Sequence, residues 1–142
     1  MTQDDRWAQL VGLDEELLKG GVILSEWCSF IVQEADVAFA DGADLAWIHT
    51  TVSGIETYLR SERSETGKER LIELTNRASI DAGLADDFHV LRIYRNKWIH
   101  VDEPWSDSNL LERPEQTEQE LECMALFAVR ALRRTIYQNP WV

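Results

Sequence analysis

Apolar residues recur along this chain at helical spacing and almost never in strand-like alternation. Leu45, Ile48, Val52, Ile55 and Leu59 follow a 3-4-3-4 rhythm, the mark of one buried helical stripe. That pattern predicts a long helix from about Asp44 to Arg63, with Gly42 as a turn or kink before it. Upstream, Asp14–Lys19 reads as a short helix stopped by Gly20-Gly21. Ser25 is placed to cap a helix whose apolar face is Trp27, Phe30, Ile31, Val37 and Ala38, with Glu34 among them.

Downstream, Ser61–Lys68 is polar and reads as a loop. A third helix is expected to run to about Ala82 and end at Gly83. A fourth starts near Asp86. The stretch Val101–Gln116, with Pro104 and Pro114, is a long connection. Thr117 and Glu120 match a capping box for the last helix. Its packing face is Leu121, Met124, Ala125, Ala128, Val129, Leu132 and Ile136, and its basic end is Arg130, Arg133 and Arg134. The expected fold is all-α, an antiparallel bundle of about four to five helices. It forms one domain over residues 1–142, with an N-terminal extension over 1–24 and the bundle over 25–142.

Composition narrows the class. At 142 residues and 44% hydrophobic content, the chain can bury a core without disulfides or metal. Cys28 and Cys123 lack any metal-ligand spacing and read as reduced, buried thiols. Apolar runs are too short to span a bilayer. The acidic start, Met1 to Asp5, does not look like a signal peptide. A cytoplasmic protein is the expectation. Net charge is −12, from 26 acids and 14 bases, which disfavours broad coating of nucleic acid. Any phosphate chemistry needs its bases gathered in one place, and a basic partner protein is the other easy use of such a surface.

The one concentrated set of functional groups is Arg95-Asn96-Lys97-Trp98-Ile99-His100 on the fourth helix. Arginine carries a permanent charge on a planar fork suited to phosphate oxygens, and histidine exchanges protons near neutrality. With Arg95 at zero, Phe88 falls at about 20°, Ile99 at about 40° and Leu91 at about 320°. Trp98, Tyr94, Val101 and Val90 extend that apolar arc. His100, Asn96 and His89 fall at about 140°, 100° and 120°, on the polar side. Arg95 must therefore snorkel, pair or line a cleft. Either it pairs with a core carboxylate, Glu56 first among them, or it awaits a ligand. His100 is either a proton-transfer group or a dipole-complementing cap. Asn96 is one turn from His100 and can orient it.

Lys97 and Arg92 on the same helix are candidate substrate-binding cations. His49 and His89 read as surface or core-edge residues. Trp98 and Trp105 read as packing groups. Asp102, Glu103 and Asp107 read as a solvated acidic loop, not a metal site. No phosphate-cradling glycine loop, GxSxG or HExxH occurs.

The Arg95–His100 segment matches the R-N-x-x-x-H form of the motif of HEPN domains, and its position late in a helical chain fits. "VLRIYRNKWIHVD" looks like the usual approach to that motif, and "GIETYLR" resembles the second long helix of the fold. The resemblance spans roughly Val32 to Tyr137. It implies a HEPN-like bundle that dimerises and brings two motifs into one cleft. It further implies a metal-independent, cofactor-free endoribonuclease of the toxin or phage-defence kind, or else a non-catalytic module that binds a partner protein or nucleotide. On that resemblance, Arg95 contacts the scissile phosphate, His100 moves the proton and Asn96 orients the ring or the phosphate. RNA is the expected substrate, with an antitoxin or regulatory protein as a further partner. Where related toxins often carry a tyrosine two residues after the histidine, this chain has Asp102. That puts neutralisation by adenylylation of that position in doubt.

Overall fold

The computed structural model describes residues 1–77, 80–105 and 110–138. Within them the chain is an all-α bundle of six helices. These are α1 (Gln3–Leu17), α2 (Glu26–Ala40), α3 (Asp44–Arg63), α4 (Leu71–Arg77), α5 (Ala82–Ile99) and α6 (Pro114–Ile136). Among the described residues, no helix is long and apolar enough to cross a membrane.

Helix α3 is the axis of the bundle. The first of the five stripe residues, Leu45, is only half-buried and lines an open cleft. The other four, Ile48, Val52, Ile55 and Leu59, are essentially inaccessible, as is Trp47 beside them. They pack mainly against α2 and α6, which supply Phe39, Ala128, Val129 and Leu132. The Trp47 and Phe39 rings lie 5.3 Å apart at 52°, and the buried Trp47 indole donates to the Ala125 carbonyl at 3.0 Å. An indole N–H inside a core needs such a partner, because leaving it unmade costs about 1–3 kcal/mol.

Several boundaries differ from the sequence pattern, each for a local reason. The first helix is not confined to Asp14–Lys19 but starts at Gln3. The Thr2 hydroxyl and Asp5 carboxylate form a capping box there. Helix α5 begins at Ala82, because the Asp81 side chain accepts from Leu84 N at 3.1 Å. Gly83 therefore opens α5 and does not end its predecessor. A Cβ there would stand 3.2 Å from the capping Asp81 oxygen, so glycine makes room for the cap. The Thr117–Glu120 capping box is absent. Pro114, with its pre-set φ, starts α6 one turn earlier, and Glu120 is drawn to Tyr94 and Lys97.

Burial brings further corrections. Cys28 is buried, and desolvation pushes its thiol up to about 11, but Cys123 is exposed. Trp98 is half-buried and packs edge-on to Tyr94, whereas Trp105 is exposed and packs on nothing described. On α2 the inward residues are Cys28, Ala35 and Phe39, while Trp27, Phe30 and Val37 face out. The basic end of α6 does more than complement a dipole. Arg133 is buried between Asp14 and Asp36, Arg134 pairs with Asp87, and Arg130 pairs with Glu16.

Candidate functional site

The site grows from the turn between α2 and α3. Gly42, at φ 74°, closes α2 in a Schellman turn, with Gly42 N bonding Phe39 O and Ala43 N bonding Ala38 O. A residue with a Cβ is strained at that φ, so glycine sets the angle at which α3 departs. Asp44 then stands in the first turn of α3, gripped by Arg6 from α1 at 2.5 and 3.0 Å. Arg6 also donates to the Phe39 carbonyl and to Glu122, and its guanidinium lies 4.9 Å from the Phe39 ring centroid. One buried cation thus ties four helices together at the base of a cleft. The sequence reading missed it, although Arg6, Leu10, Leu13 and Leu17 follow a 4-3-4 spacing.

Above that base lies a cleft of about 740 Å³ between α3 and the first half of α6. His49, Glu118, Leu121 and Glu122 are among its lining residues. Arg6 offsets the charge of Asp44 and Glu122, whereas Glu118 is exposed and carries its charge to solvent.

His49 connects the cleft to the motif. Its ring is half-buried, and Nε2 is inaccessible with no hydrogen-bond partner among the described residues. Burial lowers its pKa from the ordinary histidine value, and the positive charge of Arg95 lowers it further. Helices α3 and α5 therefore bring His49 close enough to Arg95 for the two to interact through space. No local spacing announces that meeting. The available signal was that His49 flanks Ile48 on the edge of the buried stripe.

On α5 the angular reading holds in part. Leu84, Phe88 and Leu91 are buried, and Arg95 lies half-buried on their side. The apolar arc is narrower than the sequence pattern implies, because Val90 and Ile99 are each nearly half exposed. The Arg95 Nε donates to Asn96 Oδ1 at 3.0 Å, so the amide fastens the arginine and not the histidine. Arg95 does not pair with Glu56, which is taken by Arg60 one turn away on α3. Among the described residues no carboxylate lies within ion-pairing distance of Arg95.

His100 ends α5. Its φ of −114° and ψ of 79° leave the helical region, its N–H closes on Asn96 O at 2.9 Å, and its ring is exposed. One chain therefore sets Arg95 on the inner side of α5 and His100 on the solvent side. Lys97 is held by Glu120 at 3.0 Å and lies over the Tyr94 and Trp98 rings at 5.1 and 5.3 Å. Tyr94 also donates to Glu120, and burial followed by that carboxylate pushes its pKa up to about 12. Arg92 is half-buried, and its Nε has no hydrogen-bond partner among the described residues. Asp102 and Glu103 are exposed, and Asp107 lies outside the described residues. Among the described residues, no group of three or more His, Cys, Asp or Glu side chains is placed to hold a metal ion.

No protein-family model, curated protein or solved structure matches this chain.

Proposed function

We propose that this chain is a HEPN-type endoribonuclease that acts without metal as a homodimer, in a cytoplasmic toxin or phage-defence setting. The observation that supports it most is the state of Arg95. A half-buried guanidinium is normally paired. Here Asn96 anchors it and no described carboxylate cancels its charge. That is what a phosphate-binding arginine needs, since an amide can position the fork without discharging it.

In this reading Arg95 contacts the scissile phosphate and stabilises the charge that develops on it. His100 takes the proton of the ribose 2′-hydroxyl, O2′ attacks phosphorus, and the bond to the 5′-oxygen breaks. The leaving oxygen receives a proton from the second copy's motif, so the products are a 2′,3′-cyclic phosphate and a 5′-hydroxyl end. Arg92 is the second cation available to the backbone. Lys97, already engaged by Glu120, must exchange partners to reach it.

The test is purified protein with total RNA in excess EDTA, beside His100→Ala and Arg95→Gln. Wild type should cleave, and each variant should lose about 10²- to 10⁴-fold in rate, the usual worth of one positioned proton-transfer or charge-stabilising group. DNA should survive, for want of a 2′-hydroxyl. Equal cleavage by all three proteins, or by none, sinks the reading.

The second reading is a non-catalytic module of the same family that binds a partner protein or nucleotide. The net charge of −12 favours it, since such a surface repels RNA at long range. Absence of cleavage together with saturable nucleotide binding at Arg95 would select it.

A further inference from the structure

The outer side of α2 carries apolar surface that the bundle does not use. Trp27 is 77% exposed and Phe30 63%. Val37 continues the stripe along the helix, and Ile23 precedes it. From Trp27 to Val37 the stripe runs about 15 Å, three turns of helix. Beside it, Trp7 of α1 and Val37 line a groove of about 420 Å³ between the two helices. Exposed aromatics gathered on one face are the usual anchors of a protein contact. A ridge with a parallel groove is the form that accepts an amphipathic helix.

Charge decides what kind of occupant fits. Glu26 and Glu34 stand exposed among these residues, and α2 contains no lysine or arginine. Through residue 59 the only Lys or Arg residues are Arg6 and Lys19, and Arg6 is buried in its ion pairs. A two-fold contact through this face would bring Glu26 and Glu34 of one copy toward those of the other, a like-charge penalty. Anionic lipid and RNA meet the same field. We propose that the outer face of α2, with its groove against α1, docks a basic amphipathic helix of a partner protein. The partner's apolar side covers Trp27, Phe30 and Val37, and its flanking Lys or Arg residues meet Glu26 and Glu34. None of His49, Arg92, Arg95, Asn96 or His100 belongs to this face, so the proposal stands apart from the ribonuclease reading.

The probe is a synthetic amphipathic Leu/Lys helix of four turns, with a Leu/Glu peptide of the same pattern as control, each titrated into the full chain. The Leu/Lys peptide should bind, shift the indole N–H resonances of Trp7 and Trp27, and weaken as salt rises. Trp27→Ala/Phe30→Ala and Glu26→Gln/Glu34→Gln should each weaken binding at least tenfold while the far-UV dichroism is unchanged. No binding, equal binding of the Leu/Glu peptide, or binding that survives both double variants overturns the proposal. So does self-association that disappears in Trp27→Ala/Phe30→Ala, which would make a second copy the occupant. Binding of the face to anionic phosphatidylglycerol vesicles would equally overturn it.

Discussion

Arg95 and Arg133 both stand on the apolar side of a helix, and their surroundings treat them in opposite ways. Arg133 is 3% exposed and fully committed. It forks onto Asp36 at 2.8 and 2.7 Å and reaches Asp14 at 3.0 Å, and Tyr137 donates to the same Asp14 at 2.6 Å. Removing it strands Asp36, whose side chain is only 19% exposed, while the more exposed Asp14 keeps its Tyr137 hydroxyl. Arg133→Met should therefore cost about 3–5 kcal/mol in urea unfolding, and adding Asp36→Asn should recover part of that. Arg95 has no such partner and keeps its charge available. His49 reports on that charge. In the folded protein its pKa lies below the ordinary histidine value, so the folded state disfavours the protonated ring. Stability is then full above the unfolded pKa and declines as pH falls through the folded one. In an NMR titration the His49 midpoint should fall below the ordinary histidine value, and Arg95→Gln should move it upward. An unchanged midpoint in Arg95→Gln would mean that burial alone sets it.

At the scale of elements, the connection between α3 and α4 is organised by one acid. Glu69 accepts from the Ser64 and Thr66 hydroxyls and from the Glu65 and Thr66 amides. These donors, the Ser64 hydroxyl foremost, hold its pKa down to about 2. A depressed carboxylate stabilises the fold above its unfolded pKa, and the contribution fades as pH falls toward the folded value. Amide exchange in residues 64–69 should therefore accelerate as pH is lowered from about 4.5 toward 2, after correction for intrinsic rates. Glu69→Gln should show fast exchange already at neutral pH. Helix α2 shows the opposite case, an element whose apolar pattern exceeds what its neighbours cover. Its residues at helical spacing were legible, but which of its two apolar faces turned inward was not. Small Cys28 and Ala35 let α3 approach closely, leaving the bulky Trp27 and Phe30 outside.

For the molecule as a whole, the separation of Arg95 from His100 bears on assembly. The two differ by five positions, about 140° around α5, so one helix does not easily bring their tips together. If two copies complete it, sedimentation should show a dimer at micromolar concentration, and Trp27→Ala/Phe30→Ala should leave that dimer intact. Ile93, Ile99 and Val101 are the exposed apolar residues nearest the motif for such a contact. A monomer at every concentration tested removes the basis of a shared cleft.

What the sequence by itself determined was whatever rests on the 100° step of a helix and on its caps. The span of α3, the Ser25 cap, the inward face of α6 and the placement of Arg95 on the inner side of α5 all follow from residues within a few positions of one another. Tertiary structure decided which distant groups meet. It set Arg6 on Asp44, Arg133 on Asp14 and Asp36, and Glu120 on Lys97, and it brought His49 within the field of Arg95. It also decided that Trp27 stays outside while Trp47 is sealed in. A periodicity tells which residues share a face but not which helix will cover it. The Arg95–His100 motif was legible as a list of groups, and its charge state was not. That state depends on Glu56 being held by Arg60 one turn along α3, and on which carboxylates of other helices come within reach of Arg95, which no pattern within α5 records.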